Sequence, residues 1–148
     1  MKAVLYGFAI FLSAELAGTY RSAAGAIPDL LPIYENLSRA LYQDDLFEAQ
    51  KRARELANAS LLVGHEEISG HATNLEQSES LFEARLEFRA ISAAIVDMVR
   101  GRFGYYVFTC QMPTRACLMK ESDWVQSNTV IANPYLGQFM PNCGMLRQ

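Results

Sequence analysis

The 148-residue chain has no run of basic residues, and its 13 lysines and arginines against 16 acidic residues leave a formal net charge of -3. The electrostatic footprint of a nucleic-acid binder is therefore missing. There is no Gly-rich phosphate loop, no Gly-x-Ser-x-Gly elbow, no His-Glu-x-x-His and no Cys-x-x-Cys, and Cys110 and Cys117 stand too far apart for a thioredoxin-type motif. Without any of these, enzymatic function has little support and a non-enzymatic protein is expected. No composition shift marks a linker, and no internal repeat is visible. What remains, 51% hydrophobic and 20% charged residues, is the profile of one globular domain with a real core, which excludes a disordered or fibrous chain.

The apolar run near the N-terminus, residues 3–12, is too short to span a bilayer. With Lys2 ahead of it and the small residues Ala24, Gly25 and Ala26 behind, it reads as an export signal, although Glu15 interrupts it early. We read residues 1–26 as a signal peptide and residues 27–148 as the exported, periplasmic domain, with no membrane span in the mature chain. The alternative is an uncleaved N-terminal helix, anchored or packed on the domain. In an oxidising compartment cysteine pairs tend to be disulfides, but three cysteines cannot all pair within one chain.

From Ile27 the pattern is helical. Leu30, Ile33, Tyr34, Leu37 and Leu41 recur at spacings of three and four, with Pro32 expected in the first turn. Asp45 followed by Glu48 has the form of a capped helix start. The helix beyond it carries Leu46, Ala49, Ala53, Leu56, Ala57 and Ser60 on one stripe. Ile68, Ala72 and Leu75 suggest a short third helix. Leu81, Ala84, Phe88, Ile91, Ile95 and Met98 form the face of a long fourth one, ended by Gly101 and Gly104. The fold class expected is mainly α: an antiparallel three- to four-helix bundle with a small C-terminal β-hairpin or irregular cap. Residues 105–109 and the pair Val130-Ile131 are the strand candidates of that cap.

The cap gathers all three cysteines, four of the six methionines and the only tryptophan into residues 108–145. Thiolates and thioethers favour Cu(I) and Ag(I), and thiolates also Zn(II), over hard ions; the same residues could equally be a disulfide and core methionines. The segment Asn133-Pro134-Tyr135 with Gly137 is built to reverse sharply, because proline holds Asn133 extended, the asparagine amide can bond nearby backbone, and Gly137 permits a positive φ. Such a reversal would carry Met140 and Cys143 back toward Cys110 and Met112. Trp124 is either part of the aromatic core or the face on which a cation rests. Glu66, Glu67 and His71 invite a hard-metal or acid/base reading, but a solvated helix edge is the plainer account.

The combination Cys110-x-Met112, Trp124, Ile131-x-Asn133-Pro134-Tyr135-x-Gly137 and Met140-x-x-Cys143-Gly144, preceded by Asp44-Asp45 and Ile91-Ser92, resembles a domain of unknown function found in exported bacterial proteins. That domain occurs alone or at the C-terminus of CusB/HlyD-like periplasmic adaptor subunits of heavy-metal efflux systems. The resemblance covers most of the chain after residue 26, with its specificity in the C-terminal motif. It implies a helical periplasmic domain with a soft-metal connection, Cu(I) or Ag(I), and a periplasmic efflux or metal-handling partner. The chain departs from the pattern at Gln111, where the family usually has proline, and in a longer stretch before Trp124 that adds Cys117 and Met119.

Two functions follow. In the first, Cys110, Met112, Met140 and Cys143 give two thiolates and two thioethers to one soft ion, with Cys117, Met119 or Trp124 as possible additions. In the second, a Cys110–Cys143 disulfide ties the tail to the cap of a structural or interaction domain, contributing on the order of 3 to 4 kcal/mol in the chain-entropy model.

Overall fold

The computed structural model describes residues 27–111 and 122–147. Four helices come first: α1 Ile27–Tyr42, α2 Leu46–Leu62, α3 Glu66–Glu76 and α4 Leu81–Val99. Three short strands follow, β1 Tyr106–Cys110, β2 Ser122–Gln126 and β3 Met145–Leu146, with one 3-10 turn at Gly137–Phe139 between β2 and β3. The expected helical bundle with a small β cap is the architecture observed. Among the described residues no helix is long and apolar enough to cross a membrane.

Local chemistry sets the helix ends. The Asp45 carboxylate accepts from the Glu48 amide at 2.9 Å, and the Ser80 hydroxyl accepts from the Glu83 amide at 3.2 Å while Glu83 accepts from the Glu79 amide at 2.8 Å. Both arrangements satisfy amides that a helix start leaves open. Connections of three or four residues force neighbouring helices to run antiparallel. Side chains bind the pairs: Arg54 to Glu76 at 2.7 Å and Ser69 to the Ala57 carbonyl at 2.9 Å join α2 to α3, and His71 to Glu87 at 2.8 Å joins α3 to α4. Tyr34 and Ser92, bonded through their hydroxyls, close α1 on α4.

The predicted stripes are the buried ones. Leu30, Tyr34, Leu37 and Leu41 of α1, Ala49, Ala53 and Leu56 of α2, Ile68, Ala72 and Leu75 of α3, and Ala84, Phe88, Ile91 and Ile95 of α4 all lie in one core. Pro32 sits deeper than expected, because α1 is already helical at Ile27 and the proline falls inside the helix, beyond a first turn. Its missing amide removes one backbone bond of α1.

The sheet has the order β2-β1-β3 and is antiparallel throughout. Here the strand expectation needs correcting: β1 pairs with Ser122–Gln126, not with Val130-Ile131. Asn128 Oδ1 accepts from the Val130 amide at 3.0 Å, Gln126 Nε2 donates to the Val130 carbonyl at 2.7 Å, and Gln126 Oε1 accepts from the Ala132 amide at 3.1 Å. Side chains thus take the backbone bonds that a ladder would have needed, and Val130 is left exposed.

An aromatic row joins bundle to cap. Tyr34 stacks on Phe88 at 5.3 Å, Phe88 meets Tyr135 at 5.6 Å, Tyr135 meets the edge of Trp124 at 6.1 Å, and Trp124 stacks on Phe108 at 5.5 Å. The Tyr34 hydroxyl also accepts from the Val125 amide at 3.2 Å, so one residue of α1 ties α4 to β2.

Candidate functional site

Cys110 ends β1 and stands opposite Ser122; one rung away in side-chain phase, Phe108 stands opposite Trp124. Alternation along the strands puts these four side chains on one face of the sheet. The chain beyond β2 then turns back over this region, and Asn133 organises the return. Its Oδ1 accepts from the Tyr135 amide at 2.8 Å and the Leu136 amide at 3.1 Å, its Nδ2 donates to the Cys143 carbonyl at 2.6 Å, and its own amide donates to the Pro141 carbonyl at 2.8 Å. A wholly buried asparagine with all these bonds fixes where Cys143 lies.

Cys143 is thereby set beside Cys110, its thiol hydrogen-bonded to the Cys110 thiol. Cys110 is buried and Cys143 half-buried, and no disulfide joins the two. Burial pushes the Cys143 thiol above its ordinary pKa, and the neighbouring Cys110 pushes it further in the same direction. Gly144 passes so close to the indole that a Cβ there would lie 2.6 Å from Trp124 Cη2. Thr109, Gln111, Cys143, Gly144 and Met145 line a shallow, open hollow of about 250 Å³ at the β1–β3 edge.

The cap is locked to the bundle at the far end of the reversal. Gly137 has φ 53°, and a side chain there would collide with Asp44 and Arg85. Arg85 donates to the Pro134 and Leu41 carbonyls, each at 2.9 Å, and pairs with the Asp44 carboxylate. Asp44 in turn accepts from the Gln138 amide at 3.1 Å. Only Asp45 is the cap; Asp44, itself at a positive φ of 59°, reaches across to the NPY reversal. Arg85, Gln138 and Ser122 were not foreseen, and nothing in their local sequence distinguishes them from ordinary surface residues.

Of the residues anticipated for the site, the structure brings together Cys110 and Cys143. Met140 is half-buried against the core, and its carbonyl accepts from the Cys143 amide at 3.2 Å. Trp124 is fully buried, stacked on Phe108, and its indole nitrogen donates to Gln126 Oε1 at 2.6 Å. It is a core side chain and not an open face for a cation. Met112, Cys117 and Met119 lie outside the described residues, as does the proposed signal peptide. Tyr135 is buried between Phe88 and Trp124, donates its hydroxyl to the Asp123 carbonyl at 2.6 Å, and titrates well above its ordinary value because burial disfavours the phenolate. His71 is engaged with Glu87, while Glu66 and Glu67 are exposed.

The donor set can be tested against the metal that the resemblance implies. Among the described residues no group of three or more His, Cys, Asp or Glu side chains converges, whereas structural zinc asks for four nitrogen or sulfur ligands. Two adjacent thiols with thioethers nearby in the chain fit a soft monovalent ion, which accepts fewer donors and prefers sulfur. Two buried hydroxyls of the sheet, Ser122 Oγ opposite Cys110 and Thr109 Oγ1 one residue before it in β1, have no hydrogen-bond partner among the described residues. Scanned against protein-family models, curated proteins and solved structures, the chain matches none.

Proposed function

We propose that this is an exported, periplasmic, non-enzymatic domain that binds a soft monovalent ion, Cu(I) or Ag(I), through Cys110 and Cys143, and that it serves metal handling or efflux beside a periplasmic partner. The observation that carries the reading is the contact of the two thiols, brought side by side from separate segments by the Asn133 reversal. Soft sulfur donors select such ions, and Cys143, half-buried at the mouth of an open hollow, gives the ion a way in. Met140 and Met112 are the thioether candidates. The resemblance of the C-terminal motif to the domain of heavy-metal efflux adaptors points the same way.

The same contact favours a second reading, a Cys110–Cys143 disulfide stapling the cap of a structural or interaction domain. Joining these residues would contribute on the order of 3 to 4 kcal/mol. Calorimetric titration of Ag(I) into the reduced wild type, Cys143→Ser and Met140→Leu separates the two. Metal binding predicts tight association in the wild type, a strong loss in Cys143→Ser, and a weaker site at little cost in stability in Met140→Leu. A flat wild-type isotherm, with Cys143→Ser lowering thermal stability only in oxidised samples, would leave the staple.

A further inference from the structure

Cys110 is the last residue of β1 and Ser122 the first of β2, and the register sets them directly opposite one another. Opposed residues of an antiparallel pair project to the same face with Cβ atoms about 4.5–5.5 Å apart. The Ser122 hydroxyl therefore comes within reach of the Cys110 sulfur by rotation about a single bond. Ser122 is 1% exposed, yet its Oγ has no hydrogen-bond partner among the described residues. Buried hydroxyls are nearly always bonded, and an unbonded one carries its full desolvation penalty. Alanine would fill this position without that penalty, so the hydroxyl calls for an acceptor that the thiol form does not provide. Thiol sulfur is a weak acceptor, whereas a thiolate, bare or bound to metal, is a strong one.

We infer that Ser122 is a positioning residue of the Cys110–Cys143 site, its hydroxyl donating to the Cys110 sulfur when that sulfur holds the ion and keeping it turned toward Cys143. This deepens the reading of the pair as a soft-metal site and rests on it. A donor behind a ligating sulfur fixes its rotamer and offsets part of its charge. Loss of such a partner typically weakens metal binding by about 10- to 100-fold.

The test uses reduced full-length protein as wild type, Ser122→Ala and Ser122→Thr, with Ag(I) as the probe ion in a competition titration. Ser122→Ala should bind Ag(I) about tenfold more weakly, at the low end of that range, while the thermal midpoint of the metal-free protein does not fall, because the hydroxyl has no partner there to lose. Ser122→Thr, which keeps the hydroxyl, should restore affinity. A wild type that bound no Ag(I) would overturn the soft-metal reading and this assignment with it, whereas tight wild-type binding with unchanged affinity in Ser122→Ala, or a loss matched by a lower thermal midpoint, would overturn the assignment alone.

Discussion

Replacing Asn133 with alanine removes three side-chain hydrogen bonds and leaves three backbone groups without partners: the amides of Tyr135 and Leu136 and the carbonyl of Cys143. Asn133 is wholly inaccessible, and Tyr135 and Leu136 are nearly so, so water cannot take over at the amides without opening the cap. At about 1–3 kcal/mol for each buried group left unsatisfied, the variant should lose about 3 kcal/mol or more. For a domain of this size that corresponds to a fall of roughly 10 °C in thermal midpoint. Asn133→Asp isolates one arm of the network, because it keeps an acceptor for the two amides but faces the Cys143 carbonyl with an oxygen in place of a donor. Circular dichroism melts of the reduced protein give the midpoints, and alkylation of Cys143 under native conditions reports whether that residue is still held. The expected result is a lowered midpoint in both variants and faster alkylation of Cys143 in both. A midpoint for Asn133→Ala within about 3 °C of wild type, equivalent to about 1 kcal/mol, would refute the reasoning, since the penalty rests on the amides staying dry.

Gly137→Ala should destabilise by about 2 kcal/mol or more, because the position has both a positive φ and no room beside Asp44 and Arg85; urea denaturation checks it, and a neutral substitution would mean that the clasp yields easily. Alkaline stability follows from Tyr34 and Tyr135, whose burial raises both phenols above the ordinary value. The unfolded chain ionises these tyrosines near pH 10 while the folded protein keeps them protonated, so their contribution is intact below about pH 10 and is lost as pH rises beyond it, by about 1.4 kcal/mol per pH unit for each. Urea midpoints measured from about pH 8 to pH 11 should fall accordingly, and Tyr34→Phe should flatten part of the slope. A profile with no fall above pH 10 would contradict the burial of these hydroxyls.

The helices were legible because their signal is local. The stripe from Ala49 to Ser60 and that from Ala84 to Ile95 repeat at helical spacing, and burial follows the repeat. Asp45 was legible as a cap for the same reason. The strand β2 was not, because only Trp124 and Val125 in Ser122–Gln126 have strong strand character and its pairing is decided by β1. Val130 and Ile131 misled, since periodicity carries no information about the Asn128 and Gln126 side chains that bond the backbone of Val130 and Ala132. At the site, Asn133, Pro134 and Gly137 announced a reversal through backbone chemistry, and the meeting of Cys143 with Cys110 follows from it. The partners of that reversal were hidden. Arg85 lies 49 residues from the Pro134 carbonyl it binds, and Ser122 matters only through what stands opposite it.

The distances in sequence that the cap must close have a consequence for how the protein comes to be made. Each helix meets the next across a short turn, but the Tyr34–Val125 bond spans 91 residues and the Glu35–Ser127 bonds span 92. Local contacts form early and distant ones late, because closing a long loop costs entropy before any contact rewards it. The helices are therefore expected to assemble first, with the cysteines becoming neighbours only when the C-terminal segment docks. Until then Cys110, Cys117 and Cys143 are three separate thiols on an unfinished chain, and in an oxidising compartment any two of them are open to pairing. In such a compartment the final partnership would be the outcome of a race between docking and oxidation. Pulse alkylation during refolding would show it as protection of Cys143 arriving after helical signal is complete, and protection that arrived together with the helices would rule the race out.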